Sequence, residues 1–322
     1  MGTSGRRIGV IGLLVSLLVI GSSCKDNLAD GKIHSAGLLV VDTINDQVWG
    51  TMGYKGLLAI GSSLDVEVYC KEGIKSEVQV AHAVEEFKAK GVNFVIGNGN
   101  IYAEMFNRLS KRYPDVHFLS VNGDAKNPNT TSVKFNGYAM GYLGGIVAAE
   151  MSKTNHVGVV AAYEFQPEVK GFVDGARYRN PEVSATIRYV DDWDSTDRAV
   201  GYAKELADKG VDVFYPAGDG FNIPIIEEVK ERGLYVIGYV SEQRKQGDAV
   251  LTSTVQHVDK LLSIAAEQYD EGMLQSGNLC YDFQNNVITM GTYSSLVPKD
   301  FQETMDRYVE AYKRTGELPG KE

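Results

Sequence analysis

Residues 37–60 read GLLVVDTINDQVWGTMGYKGLLAI, and their pattern is strand, loop and helix. Leu38, Leu39, Val40 and Val41 form a short apolar run suited to a strand covered on both faces. Asp42, Thr43, Asn45 and Asp46 are turn and N-cap residues. Trp49, Met52, Gly53, Gly56, Leu57 and Ile60 then recur at i, i+3, i+4, i+7, i+8 and i+11, which makes one buried helical face. In an open α/β sheet small ligands bind at the carboxyl ends of strands, where loop donors and helix N-termini converge. Thr43, Asn45 and Trp49 are therefore the first site candidates. A capped first helix whose Trp49 is simply core is the other reading of the same residues.

The chain beyond this unit alternates in the same way. Asp65 to Tyr69 reads as a strand, and Val80, Ala83, Val84 and Phe87 mark a helix stopped at Lys90-Gly91. Phe94 to Ile96 is a buried strand opening into Gly97-Asn98-Gly99-Asn100, followed by a helix through Met105, Phe106 and Leu109. Val116 to Val121 is a strand, Asn122 to Asn129 a loop, and Ser132 to Phe135 a strand. After a small-residue helix, Tyr138 to Met151, a second series has strands at Val157 to Ala161, Ala185 to Val190, Val211 to Tyr215 and Leu234 to Tyr239. Such βαβ series imply mainly parallel sheets with right-handed crossovers.

An internal echo sharpens this. Lys90-Gly91-Val92-Asn93-Phe94-Val95-Ile96 and its GNGN loop match Lys209-Gly210-Val211-Asp212-Val213-Phe214-Tyr215 and the loop Pro216-Ala217-Gly218-Asp219-Gly220. Two copies in two similar lobes would set Asn98 and Asn100 against Gly218 and Asp219 across a cleft, a place to hold a small polar solute. The other reading is that any parallel α/β sheet carries Gly-rich turns. Trp193, inside the acidic run Asp191, Asp192, Asp194 and Asp197, is a platform for stacking a flat ligand. Val250 to Ser253 is a further strand, Val258 to Ala265 a helix, Leu279 to Met290 a pair of strands around Asn285-Asn286, and Phe301 to Tyr312 a final amphipathic helix. The reading is an α/β protein of two lobes, residues 33–134 plus about 245–284 and 135–244 plus about 285–322, with crossings at Phe135, Glu242 to Asp248 and Asn285.

The 322 residues are 43% hydrophobic and 23% charged, which is ordinary for a globular chain of about two domains. A net charge of −10 without a basic cluster argues against direct nucleic-acid binding. Arg6 and Arg7 precede an apolar run, Ile8 to Ile20, and then Gly21-Ser22-Ser23-Cys24. This reads as residues 1–24 of a lipoprotein signal peptide ending at a lipidated Cys24, with 25–32 as a tether. Two acyl chains on that cysteine would suffice to hold the domain on the outer face of the cell membrane. Cys70 and Cys280 read as thiols rather than a disulfide scaffold. No phosphate loop, nucleophile elbow or metal-ligand spacing occurs, so no catalytic residue, metal or cofactor is expected.

Five stretches carry a family resemblance: Asp42 to Trp49, Tyr113 to Phe118, Gly141 to Gly145, Lys153 to Val159 and Leu251 to Ser253. Together they resemble the basic membrane protein family of solute-binding lipoproteins, in order and over the whole chain beyond Cys24. The resemblance implies a type I periplasmic-binding-protein fold. It also implies a nucleoside-like ligand delivered to an ABC permease or, in a regulatory member, an effect on competence. In the nucleoside receptors two aromatics sandwich the base. Here Ile44, beside a retained Asn45, stands at the first position and Trp193 at the second. The charged pair implied for the ribose is replaced by Ser241 and Gln256. The candidate site is thus Thr43, Asn45, Trp49, Asn98, Asn100 and Asn122 from lobe one and Trp193, Gly218, Asp219 and Ser241 from lobe two, with Gln256 beside them.

Overall fold

The computed structural model describes residues 1–2, 31–45 and 48–321. The expected signal peptide with Cys24, the expected tether up to residue 30, and Asp46 lie outside the described residues. The first half runs β1 Ser35–Leu39, α1 Trp49–Leu64, β2 Glu67–Lys71, α2 Glu77–Ala89, β3 Phe94–Gly97, α3 Ile101–Leu109, β4 His117–Val121 and β5 Thr130–Phe135. It continues through α4 Gly137–Met151, β6 His156–Ala161, α5 Pro167–Arg179, β7 Ser184–Tyr189, α6 Thr196–Asp208, β8 Val213–Ala217, α7 Asn222–Glu231 and β9 Tyr235–Val240. The last part is β10 Val250–Gln256, α8 Val258–Asp270, β11 Gly277–Tyr281, β12 Ile288–Met290 and α9 Lys299–Thr315.

Two sheets result. The first has the order β11-β5-β4-β3-β1-β2, parallel throughout. The second has the order β12-β10-β9-β8-β6-β7, with only β12 antiparallel. Strands β1, β3 and β4 are buried along their whole length because helices cover both faces, which is why they read as unbroken apolar runs. This is the two-lobed α/β fold with a central cleft.

Three passages join the lobes, and they lie side by side. Asn136 N–H donates to Tyr281 O at 2.9 Å, and His257 N–H donates to Val287 O at 2.8 Å. The chain therefore changes lobes at Phe135-Asn136, at Gln256-His257 and between Tyr281 and Ile288. The expected passage at Glu242 to Asp248 is corrected: β10 pairs with β9 in the second sheet, so residues 245–256 stay with lobe two. The apolar run Val250 to Ser253 continues as Thr254-Val255-Gln256, which a pattern of alternation alone stops too early. The C-terminal helix α9 braces the crossing, with Tyr312 Oη donating to Asp282 Oδ2 at 2.7 Å and Asn136 Nδ2 donating to Tyr312 Oη at 3.0 Å.

Helix α5, absent from the sequence reading, starts with Pro167 at its first turn and buries Val169, Phe172, Val173 and Ala176. It lies backbone to backbone with α4. A methyl group placed on Gly145 would sit 2.0 Å from Phe172 O, and one placed on Gly175 would sit 1.9 Å from Tyr142 O. The small residues of α4 thus serve close helix approach, and the helix is buried nearly all round. Cys70 in β2 and Cys280 in β11 occupy opposite edges of the first sheet, five strand spacings or about 24 Å apart, and are free thiols. Cys70 is half-buried and Cys280 exposed.

Candidate ligand-binding site

In lobe one, parallel register aligns the carboxyl ends of the central strands: Leu39 pairs with Gly97, and Gly97 with Ser120. The loops after β1, β3 and β4 therefore emerge together. Thr43 Oγ1 accepts from Asn45 N–H at 3.1 Å, while Glu72 Oε1 accepts from Ile44 N–H at 2.8 Å, so Thr43 shapes this loop and leaves Asn45 exposed. Trp49, the first residue of α1, is half-buried and meets Phe135 edge to face with centroids 6.4 Å apart. Its Nε1–H donates to Asn98 O at 3.2 Å, and Asn98 Nδ2 returns a bond to Trp49 O at 3.0 Å.

Asn98 is 1% exposed and its Oδ1 has no partner among the described residues. It was expected to face a ligand, yet its amide is committed to Trp49, because the missing side chain of Gly53 leaves the space it fills. Asn100 precedes α3 and is exposed, and Asn122 is exposed at φ 59°, a left-handed conformation that asparagine tolerates. These residues form one set around the ends of β1, β3 and β4.

Lobe two repeats the arrangement. Ala161 pairs with Tyr189 on one side and with Ala217 on the other, so the loops after β6, β7 and β8 leave at one level. Trp193 is 37% exposed and meets Tyr163 at 5.4 Å and 62°, and Tyr163 stacks on Phe165 at 5.2 Å and 14°. A methyl group on Gly220 would lie 2.7 Å from Trp193 O, so the Gly218-Asp219-Gly220 loop packs against the tryptophan loop. Gly218 is buried over Phe221, and Asp219 is half-buried. Ser241 is half-buried just after β9, behind Val240 at φ 64°. A β-branched residue in that region is strained, as is common beside functional sites.

Gln256 departs from expectation. It ends β10 in lobe two rather than lying in lobe one with residues 245–284, is 6% exposed, and points its Nε2 at Met140 Sδ, 3.4 Å away. Trp49 packs within lobe one and Trp193 within lobe two, so the structure assembles two half-sites, each on its own set of strand ends.

Sequence reasoning missed a buried polar network at the base of the lobe-two half-site. Gln166 Nε2 donates to Glu168 Oε1 and to Ala217 O, both at 3.0 Å, and Tyr239 Oη donates to Glu168 Oε1 at 2.8 Å. Glu168 is 6% exposed and makes no ion pair with any described residue. Its other oxygen lies against Gly137, where the N-terminus of α4 favours an anion. Burial raises the pKa of Tyr239 and Tyr215 well above the ordinary tyrosine value, and the Glu168 carboxylate adds to both. The available signal was Pro167 opening a helix directly after a strand and two aromatics.

The arrangement suits holding a flat polar solute. Among the described residues no group of His, Cys, Asp or Glu is placed to hold a metal ion.

Comparison with known proteins agrees with this geometry. The family model for Bmp, ABC transporter substrate-binding protein PnrA-like, matches residues 33–322. The chain is 49% identical over 311 residues to the transcriptional activator protein med of Bacillus subtilis (strain 168), covering 96% of this chain and 98% of that one. It is 22% identical to the ABC transporter nucleoside-binding protein BmpA of Lactococcus lactis, over 89% of this chain and 91% of that one. Among solved structures, a transcriptional activator of the comK gene from Bacillus halodurans superposes with a TM-score of 0.84 at 48% identity, covering 88% of this chain and 99% of that chain. An ABC transporter solute-binding protein from Conexibacter woesei superposes at 0.72 with 21% identity, over 88% and 97% of the two chains, a likeness of fold. The family, described as ABC transporter substrate-binding protein PnrA-like, is one of substrate-binding proteins and not of enzymes, and this chain belongs to it: it is a member of the Bmp family.

Proposed function

We propose that the protein is a surface-anchored solute-binding lipoprotein that acts as a positive regulator of competence, responding to a small ligand held between its lobes. The observation that carries this reading is the pair of half-sites at the strand ends, in a chain that shares 49% of its residues with a protein named as a transcriptional activator. The replaced ribose-binding pair argues that the ligand differs from an ordinary nucleoside. Ser241 is neutral and Gln256 is buried under Met140, and a hydrogen bond to a charged group is worth about 1.5–3 kcal/mol that these residues do not offer. The effect on transcription is indirect in this reading, because the net charge of −10 opposes a polyanion.

Two measurements test it. A thermal-shift screen of the purified protein against nucleosides, bases and small sugars should find a stabilising solute, since a ligand at 100 times its dissociation constant adds about 2.7 kcal/mol. A gel-shift titration at physiological salt should show no sequence-specific DNA complex, and a nanomolar one would sink the indirect reading. A second reading, the substrate-binding component of a nucleoside-type ABC importer, is favoured by the nucleoside-binding relative and by the retained aromatic Trp193. A tight complex with an unmodified purine nucleoside, together with uptake that depends on an ABC permease, would select it.

A further inference from the structure

Building on the solute-binding reading, we propose that the lobe-two half-site selects a flat, positively charged organic solute over a neutral one. Three aromatic side chains on neighbouring loops form its surface: Tyr163 between Phe165 and Trp193, with Phe165 67% and Trp193 37% exposed. Tyr163 rests on the lobe-two core while Phe165 and Trp193 stand exposed on it, and aromatic faces carry the negative side of the ring quadrupole. The residues interleaved with them are acidic. Glu164 separates Tyr163 from Phe165, Asp192 and Asp194 flank Trp193, and Asp191 and Asp197 lie close in the chain.

All five carboxylates are exposed, and none forms an ion pair among the described residues. Elsewhere on the surface acidic side chains are commonly paired, as Glu205 is with Arg188 and Lys209, and Glu228 with Arg232. A separate observation points the same way. Glu168, three residues after Phe165 and buried, adds a carboxylate that is held by Gln166 and Tyr239 and forms no ion pair among the described residues. Arg198, next to the acidic run at residues 191–197, turns a guanidinium N–H to Val190 O at 2.5 Å. Rings whose faces attract cations, set among unpaired carboxylates, recognise an organic cation by the chemistry of an aromatic cage.

The test is calorimetric titration of the full-length protein with 1-methyladenosine, a cation at neutral pH, and with its neutral isomer N6-methyladenosine. The two share composition, ribose and ring area, so a difference between them reports charge. Binding of 1-methyladenosine at least about fivefold tighter is expected, in line with a desolvated cation on an aromatic face. That preference should weaken with added salt. The double variant Glu164→Gln with Asp192→Asn keeps both side-chain shapes and the acceptor that Asp192 offers to Asp194 N–H. It should reduce the preference for 1-methyladenosine while the melting temperature is retained, the rings and the three other carboxylates supplying what remains.

Equal or tighter binding of N6-methyladenosine overturns the proposal, and so does a cation preference undiminished in the double variant. If neither isomer binds while the thermal-shift screen finds a neutral solute, the charge preference fails and the solute-binding reading stands. If that screen is empty as well, both fail.

Discussion

Trp49 and Asn98 hold each other by two reciprocal hydrogen bonds, indole Nε1–H to Asn98 O at 3.2 Å and Asn98 Nδ2 to Trp49 O at 3.0 Å. The pair ties the first turn of α1 to the carboxyl end of β3, so the lobe-one half-site is preformed. Replacing Asn98 with Ala removes the amide bond to Trp49 O and empties the space beside Gly53 that the side chain fills, which should cost about 1–3 kcal/mol in urea denaturation. An unchanged midpoint would show that the pair braces nothing.

The α4–α5 contact makes two glycines respond in opposite directions. Gly145→Ala puts a methyl group 2.0 Å from Phe172 O, against backbone that cannot move aside, and should destabilise by more than about 2 kcal/mol or prevent folding. Gly201, in the exposed part of α6, has nothing within 4 Å of the same methyl position. Gly201→Ala should stabilise by about 0.5–1 kcal/mol through helix propensity. Thermal melts of the two variants side by side decide the matter.

His117 supplies a pH dependence. It is buried beside Phe94 and Tyr269, its Nε2 is 3.0 Å from Thr131 Oγ1, and burial lowers its pKa from 6.5 to about 4. Above pH 6.5 the imidazole is neutral in both the folded and the unfolded chain, and its contribution is complete. Between pH 6.5 and 4 the unfolded chain binds a proton that the folded chain refuses, so stability falls with pH, by about 3 kcal/mol at the lower end. His117→Gln should flatten the stability profile in that window, and a slope equal to wild type there would refute the assignment.

Trp193→Ala should leave the melting temperature nearly unchanged, because the ring is 37% exposed and packs on loop aromatics rather than on the core. Binding of the solute found by the thermal-shift screen should weaken by about tenfold or more, since stacking on an aromatic is worth about 1–3 kcal/mol per base. Unfolding of the variant with affinity intact in the folded fraction would make Trp193 a core residue.

Cys24→Ala should shift the protein from the membrane fraction to the medium, because the proposed anchor is the lipid on that cysteine. Fractionation with an antibody to the folded region reads this out. Retention of the variant in the membrane would exclude the lipid as the anchor.

The strand-loop-helix unit at residues 37–60 was legible because the apolar period changes from a continuous run to 3.6 residues within one window, a local property of the chain. For the same reason the pattern alone places the copied loops at Asn98 and Asp219 at strand ends. What the side chains do there was decided by neighbours distant in sequence. Asn98 turns inward because Gly53, forty-five positions earlier, vacates the space for its amide. Gln256 is buried because α4 brings Met140 over the end of β10, and β10 belongs to lobe two because it pairs with β9. Glu168 and its network were invisible for the same cause: a buried carboxylate and an exposed one look alike in a sequence, and only the approach of Gly137, Gln166 and Tyr239 removes the water. Periodicity determines which face of an element is apolar, whereas desolvation and pairing depend on which elements meet, and that is a property of the tertiary structure alone.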